Sequence, residues 1–334
     1  MESSRSKRAL LGAGLVTAVA FALGGTPAAH AQQAIKWNMP TPYAEASFHT
    51  KNTKQFADEV RQATGGRLEI SVHPNGSLFK LPEMKRAVQS GQAQIAEVNL
   101  PAFGNENPFY ELDVVLFLAQ GYDDAERLWK LSRPIIENTL QAQGIQVLYV
   151  VPFPGMGMVS KKPINRLADL KGMRFRSFGP AASRFGELVG ATPTVIQASE
   201  LSQAFTVGAI DSTLTSASTA VSTKSWEYAK YFIDLQAAHT KQTIIVNTAA
   251  FKALPADIQA AVLKAAADAE QRGWAASRRE ADETRERLVK EGVIIVKPDE
   301  AFRSELGKLG VTLASDWEKR AGAEGTGVLK AYRQ

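Results

Sequence analysis

The stretch Leu167-Ala168-Asp169-Leu170-Lys171-Gly172-Met173-Arg174-Phe175-Arg176 decides how the chain is read. Its first half is a short helical turn. Gly172 stops that turn, and a strand ending in arginine follows. Alternation with period two puts Arg174 and Arg176 on one strand face. In open α/β folds the carboxyl end of a strand faces the crevice where ligands bind. A guanidinium placed there offers five donors in a planar fork that fits a carboxylate bidentately, and it stays charged at any working pH. Arginines are mostly exposed and often pair with surface acids instead. Residue type and position leave both roles open for Arg176, and Arg174 reads as a solvent-facing or structural charge.

Upstream, Ala34–Met39 reads as a buried strand, Ser47–Thr64 as a helix closed by Gly65-Gly66, and Leu68–Val72 as a second strand. Leu81–Ser90 reads as a helix and Ala93–Asn99 as a third strand, so βαβαβ order predicts a parallel sheet. Asp123–Ser132 starts a further helix, and a β-branched central strand is predicted over Gln146–Val151. The run Pro152-Phe153-Pro154-Gly155-Met156-Gly157-Met158 suits a crossing between lobes. Beyond the opening stretch come a helix over Pro180–Val189, a strand over Thr194–Ile196, a short helix over Glu200–Val207, and a helix ending at Trp226–Ala229. Ile244–Val246 reads as a strand crossing back. From Pro255 to about Glu291 the pattern is one long helix reaching along both lobes, or two helices broken at Gly273. Ala301–Gly307 and Val311–Arg320 read as separate terminal helices. The expected fold class is α/β, two-lobed with a cleft between the lobes. Lobe I takes residues 32–153 plus about 239–273, and lobe II takes 154–238 plus about 274–334.

Residues 1–31 have the basic start, apolar run and Ala29-His30-Ala31 site of a cleavable secretory leader. The apolar run is shorter than the roughly 20 residues of an uninterrupted membrane span. Formal net charge is +5, and loss of Arg5, Lys7, Arg8 and Glu2 with the leader brings it near balance. No basic stripe suggests a nucleic-acid partner. The chain has no cysteine, which excludes disulfides and thiolate chemistry. His49, His73 and His239 lack zinc-ligand spacing, and no calcium-loop spacing occurs. There is no nucleophile elbow, phosphate loop or dinucleotide fingerprint, so neither an enzyme nor a cofactor is expected.

Three further segments narrow the reading: Glu187-Leu-Val-Gly-Ala-Thr-Pro-Thr-Val-Ile-Gln-Ala-Ser-Glu200, then Glu200, Ala204, Gly208 and Asp211 at fixed spacing, and Phe251–Glu270 opening the long helix. With Ala168–Gly172 and Arg176, and with Glu59–Leu78 and Ala87–Val98 upstream, they resemble the solute-binding proteins of TRAP transporters, the DctP-type P subunit family. The resemblance covers nearly the whole chain after residue 31. It implies a monomeric periplasmic receptor that captures an organic acid by lobe closure and delivers it to separate small and large membrane subunits. It also implies that the family's strand-end arginine, which pairs with the ligand carboxylate, is Arg176.

Asp211 is followed by Ser212 rather than the family's usual Gly. Leu100 and Met156 stand where sialic-acid-type members place arginines. A mostly apolar pocket lined by Phe153, Met156, Met158, Phe178 and Leu214 is therefore expected, with polar contacts from Asn99, Thr215 and Tyr43. Such a pocket suits a monocarboxylate with an apolar or aromatic body, such as a 2-oxo or 2-hydroxy acid. Sugar acids and C4-dicarboxylates are the alternatives within transport, and a sensor domain feeding a signalling partner is the alternative to it.

Overall fold

The structure is a computed structural model that describes residues Ala34–Gln334; the predicted leader at 1–31 lies outside them. Its elements, in chain order, begin with β1 (Ile35–Pro40), α1 (Phe48–Ala63), β2 (Leu68–His73), α2 (Leu81–Gln89), β3 (Ile95–Asn99), α3 (Tyr122–Gln141) and β4 (Ile145–Pro152). Then come β5 (Met156–Ser160), β6 (Arg174–Ser177), α4 (Pro180–Leu188), β7 (Thr192–Val195), α5 (Leu201–Thr206), β8 (Ser212–Ser216), α6 (Ala217–Ser222) and β9 (Tyr231–Ile233). The chain ends with β10 (Lys241–Asn247), α7 (Thr248–Lys252), α8 (Ala256–Lys290), β11 (Ile294–Val296) and α9 (Glu300–Arg333).

The strands form a parallel β1-β2 pair, a three-stranded sheet in order β3-β10-β4, and a six-stranded sheet in order β11-β9-β5-β8-β6-β7. Each larger sheet is buried on both faces. Ala96, Val98, Val147 and Val150 enter one core while Ile95, Leu148, Tyr149 and Val151 enter another. Met158, Phe175 and Leu214 enter one core of the six-stranded sheet, and Val159 and Phe232 enter the other. Near-continuous apolar strands follow from this double burial.

The first half departs from the parallel sheet expected of βαβαβ order. β1 and β2 are parallel, but β3 pairs antiparallel with β10, which returns from late in the chain. β10 is also the central strand, and β4 lies at the edge, where α8 covers it. Helix α3 continues past Ser132 through Pro134 because Ile136 and Leu140 extend its buried stripe. The crossing is confined to Phe153–Gly155, and Met156–Met158 already belong to β5. There Gly157 is a packing residue, since a Cβ would lie 2.5 Å from the Ile233 carbonyl oxygen. Helix α6 ends at Ser222, and Trp226 sits in a short 3-10 turn after left-handed Lys224 (φ 51°). The two terminal helices are one run, kinked at Gly322 rather than broken between Gly307 and Val311. Gly310 lies inside it because a Cβ would stand 2.9 Å from the Phe117 Cβ.

Two chain crossings run side by side between the sheets. The Phe153 amide donates to the Thr240 carbonyl at 2.8 Å and the Met156 amide to the Ala238 carbonyl at 2.8 Å. Helix α8 is continuous through Gly273. It packs on α1 and β4 of the first half and on α6 and β11 of the second. Its glycine is therefore not a break. A Cβ at Gly273 would lie 2.3 Å from Val151 Cγ2 and 3.1 Å from Asn52 Nδ2. Helix propensity favours alanine over glycine by about 1 kcal/mol, whereas overpacking of this kind costs about 1–3 kcal/mol. Gly273→Ala should therefore lose stability in urea melts, by about 1 kcal/mol on the same balance. A more stable variant would contradict the close packing.

Candidate functional site

The carboxyl end of β6 carries Arg176 into a cleft of about 560 Å3 that opens to solvent. The strand is anchored on both sides, with Arg176 opposite Thr194 of β7 and Thr213 of β8. Its Nε donates to the Ile196 carbonyl at 2.7 Å, leaving the two terminal nitrogens free for another acceptor. Only 6 % of the residue is exposed. Among the described residues no carboxylate forms an ion pair with it. Burial pulls its pKa down to about 10, so it remains a cation at neutral pH. The Phe178 ring lies 5.5 Å from its guanidinium carbon. A buried cation without a counter-charge is costly, and in folded proteins such groups are paired.

Arg174, two residues earlier on the strand, does something else. It makes a bidentate pair with Asp211, with Nη2–Oδ1 at 2.7 Å and Nε–Oδ2 at 2.9 Å. That pair is partly exposed and ties β6 to the turn before β8. It accounts for Asp211 as a structural partner of the neighbouring strand.

The remaining predicted residues converge on the same cleft. Asn99 ends β3, Phe153 and Met156 flank the crossing, Leu214 and Thr215 come from β8, and Tyr43 and Phe178 stand on loops. Met158 does not line the cleft as expected. It is buried in the core of the six-stranded sheet, because two further residues along β5 carry it past the cleft wall. Leu100 also lies in a core cluster, leaving Met156 as the apolar wall of that pair. Tyr43 packs edge-on against Phe153 at 5.2 Å, and its hydroxyl accepts from Gln242 Nε2 at 3.1 Å. Asn99 Nδ2 reaches Thr240 Oγ1 at 3.5 Å, and Asn99 Oδ1 has no partner in the structure. Leu81, Gln197, Thr219 and Thr240, not expected from the sequence, also line the cleft. They come from helix starts and loops with no strand-end or motif signal. His49, His73 and His239 bond separately to the Val151 carbonyl, Asn38 Oδ1 and the Phe153 carbonyl.

Residues 41–318 match the family model for DctP, bacterial extracellular solute-binding protein, family 7. The chain belongs to that family. DctP7 of Bordetella pertussis, a solved extracytoplasmic solute receptor binding pyroglutamic acid, is 44% identical, with a TM-score of 0.88 over 90% of this chain and 100% of that one. A marine metagenome TRAP solute-binding protein specific for pyroglutamate is 36% identical, with a TM-score of 0.88 over 90% of this chain and 99% of that one. The C4-dicarboxylate-binding periplasmic protein DctP of Rhodobacter capsulatus is 28% identical over 65% of this chain and 66% of its own. A solute-binding protein of Albidiferax ferrireducens is 28% identical over 56% of this chain, and the chain spans only 55% of its length. The family activity is solute binding rather than catalysis, and its two-lobed α/β architecture is the one expected. No helix among the described residues is long and apolar enough to cross a membrane.

Beneath this family 7 cleft lies Glu97, on the same face of β3 as Asn99 and fully buried. The Thr41 hydroxyl donates to its Oε2, and Thr41 Oγ1 accepts the Tyr43 amide at 3.4 Å. Its Oε1 has no partner among the described residues. Burial raises the carboxyl pKa to about 7, against 4.5 for the free group. The folded state thus holds a proton that the unfolded state releases between those values, so this group makes stability fall as pH rises from 4.5 toward 7. Glu97→Gln, which mimics the protonated form, should stabilise the protein at pH 8 relative to wild type by up to about 3 kcal/mol. The advantage should shrink at pH 5. A pH-independent difference in denaturant midpoint would contradict it.

Proposed function

We propose that the chain is the periplasmic receptor of a TRAP-type transporter for a small monocarboxylate, and that the acid is pyroglutamate. The observation that carries this reading is the buried guanidinium of Arg176, which faces the cleft without an anionic partner among the described residues. A ligand carboxylate on its free terminal nitrogens supplies the missing charge. The ring of the acid then lies among Phe153, Met156, Phe178 and Leu214. Asn99, Thr215 and Tyr43 take its polar atoms, the common makeup of a small-molecule site. The ligand is proposed from the pyroglutamate-binding neighbours at 36% to 44% identity. It keeps the single carboxylate expected from the sequence and replaces the 2-oxo or 2-hydroxy group with a lactam.

Lobe I comprises residues 32–153 and about 239–273, and lobe II comprises 154–238 and about 274–334. The separate sheets and the paired crossings near Phe153 and Thr240 support this division except in α9, whose Trp317, Val328, Leu329 and Tyr332 enter the core of the β3-β10-β4 half. A ligand touching both lobes favours the closed form by its differential affinity. Small and large membrane subunits, as separate chains, then receive the acid.

Calorimetry on the mature chain tests the assignment. Pyroglutamate should bind, and succinate, sugar acids and branched 2-oxo acids should bind at least about 100-fold more weakly. Tight binding of succinate with none of pyroglutamate would overturn the choice of ligand. Arg176→Met should weaken pyroglutamate at least about 100-fold, the usual cost of leaving one buried charge of a pair alone. The same variant should leave the ligand-free melting point unchanged or higher, because it removes an uncompensated buried cation. Near-native affinity in this variant would remove the anchor role.

A further inference from the structure

Away from the ligand cleft, one fully buried carboxylate joins three elements. Glu111 lies in a 3-10 segment (Pro108–Val114) that follows β3 and a short turn at Leu100–Phe103. Its side chain has no exposed surface. Oε1 accepts the Ala181 amide at 2.7 Å, and Oε2 accepts from Arg320 Nη1 at 2.6 Å. Ala181 is in the first turn of α4, whose own N-cap, Gly179, supplies no side-chain cap. Glu111 thus caps a helix of the six-stranded half from the other half of the chain. A second strut runs alongside, with Arg184 of α4 donating to Asp316 of α9 at 2.9 Å.

The junction is closely fitted on both sides. A Cβ on Gly104 would lie 2.1 Å from Glu111 Cγ. A Cβ on Gly179 would lie 2.5 Å from the Pro101 carbonyl oxygen. These contacts sit immediately beyond the two residues at the heart of the cleft. Pro101 follows Asn99 by two residues, and Gly179 follows Arg176 by three. The charged acceptor and the two glycines therefore clamp the ends of the strands that deliver Asn99 and Arg176.

We infer that Glu111 is a positioning residue that latches the two halves next to the cleft, so that the closed arrangement of Asn99 and Arg176 is held by the Glu111–Ala181–Arg320 contacts as well as by ligand. This rests on the proposed receptor function and adds a source of closure energy that lies outside the ligand. Hydrogen bonds to charged groups are the stronger class, and an uncompensated buried carboxylate is strongly unfavourable. Opening at this junction must therefore expose Glu111 to water or break its bonds. The latch biases the open–closed equilibrium without touching the acid.

The test uses the cysteine-free chain, labelled at Gln55→Cys on α1 and Gln203→Cys on α5 for pulsed electron-spin distance measurement. In the unliganded protein, Glu111→Gln and Arg320→Met should each shift the distance distribution toward the longer, open population. Each should weaken pyroglutamate binding about tenfold, the loss of one charge-assisted bond. Gly104→Ala, which displaces Glu111 without changing charge, should act in the same direction. Melting points taken alongside separate this role from a purely structural one. A variant with a lowered melting point, an unchanged distance distribution and native affinity would overturn the latch. If wild type fails to bind pyroglutamate, the ligand assignment falls while the unliganded distributions still decide the latch: a shift supports it and no shift overturns it.

Discussion

The cleft is organised around a buried positive charge that pairs with no carboxylate among the described residues. Arg176 is held by β6 between two neighbouring strands and spends only its Nε on the protein, at the Ile196 carbonyl. Taking a guanidinium out of water is unfavourable, and a paired protein carboxylate would normally offset it. Here the nearest arginine on the strand, Arg174, holds that kind of partner in Asp211, and Arg176 has none among the described residues. On the proposed function, the carboxylate of an acid ligand offsets that cost on binding. In that reading charge selects the carboxylate, and the apolar walls and few polar atoms around it select the rest of the molecule.

The fold serves this charge by bringing unrelated strand ends together. β3 and β10 deliver Asn99 and Thr240 from one sheet, and β5, β6 and β8 deliver Met156, Arg176 and Thr215 from the other. The crossings at Phe153 and Thr240 are hydrogen-bonded to each other, and α8 runs unbroken along both sheets. Neutral His239 reinforces the crossing through its Nδ1 contact with the Phe153 carbonyl, and burial lowers its pKa to about 4. The Glu111 junction lies just beyond those strand ends, where Gly179 meets Pro101 and Ala181 meets Glu111. Both sides of the cleft rim are thereby tied to the position of Arg176 and Asn99.

Local signals in the sequence carried the individual elements well and their partners poorly. Gly172 and the alternation after it placed β6 within a residue, and Pro255 and Gly292 bounded α8 nearly as observed. The pairing of β3 with β10 was hidden, because the residues lie far apart and a buried strand has the same composition in parallel and antiparallel sheets. Glycine misled where it packs rather than turns. Gly307 closes the first terminal helix in the sequence reading, yet α9 runs on through Gly310, which admits Phe117. The apolar lining followed from strand ends, with Met158 the exception because it lies one repeat too deep. Thr219, Thr240 and Gln197 stand on helix starts and loops, where no periodicity marks a residue as facing a cleft. Glu97 and Glu111 look like ordinary charged residues in the sequence. Only their burial and partners distinguish them.

The most direct test of the account is a crystal structure of the mature protein grown with pyroglutamate. The account predicts both carboxylate oxygens about 2.7–2.9 Å from the terminal nitrogens of Arg176, with the ring between Phe153, Met156 and Leu214. A carboxylate bound elsewhere in the cleft, or Arg176 paired with a side-chain acid of the protein, would contradict it.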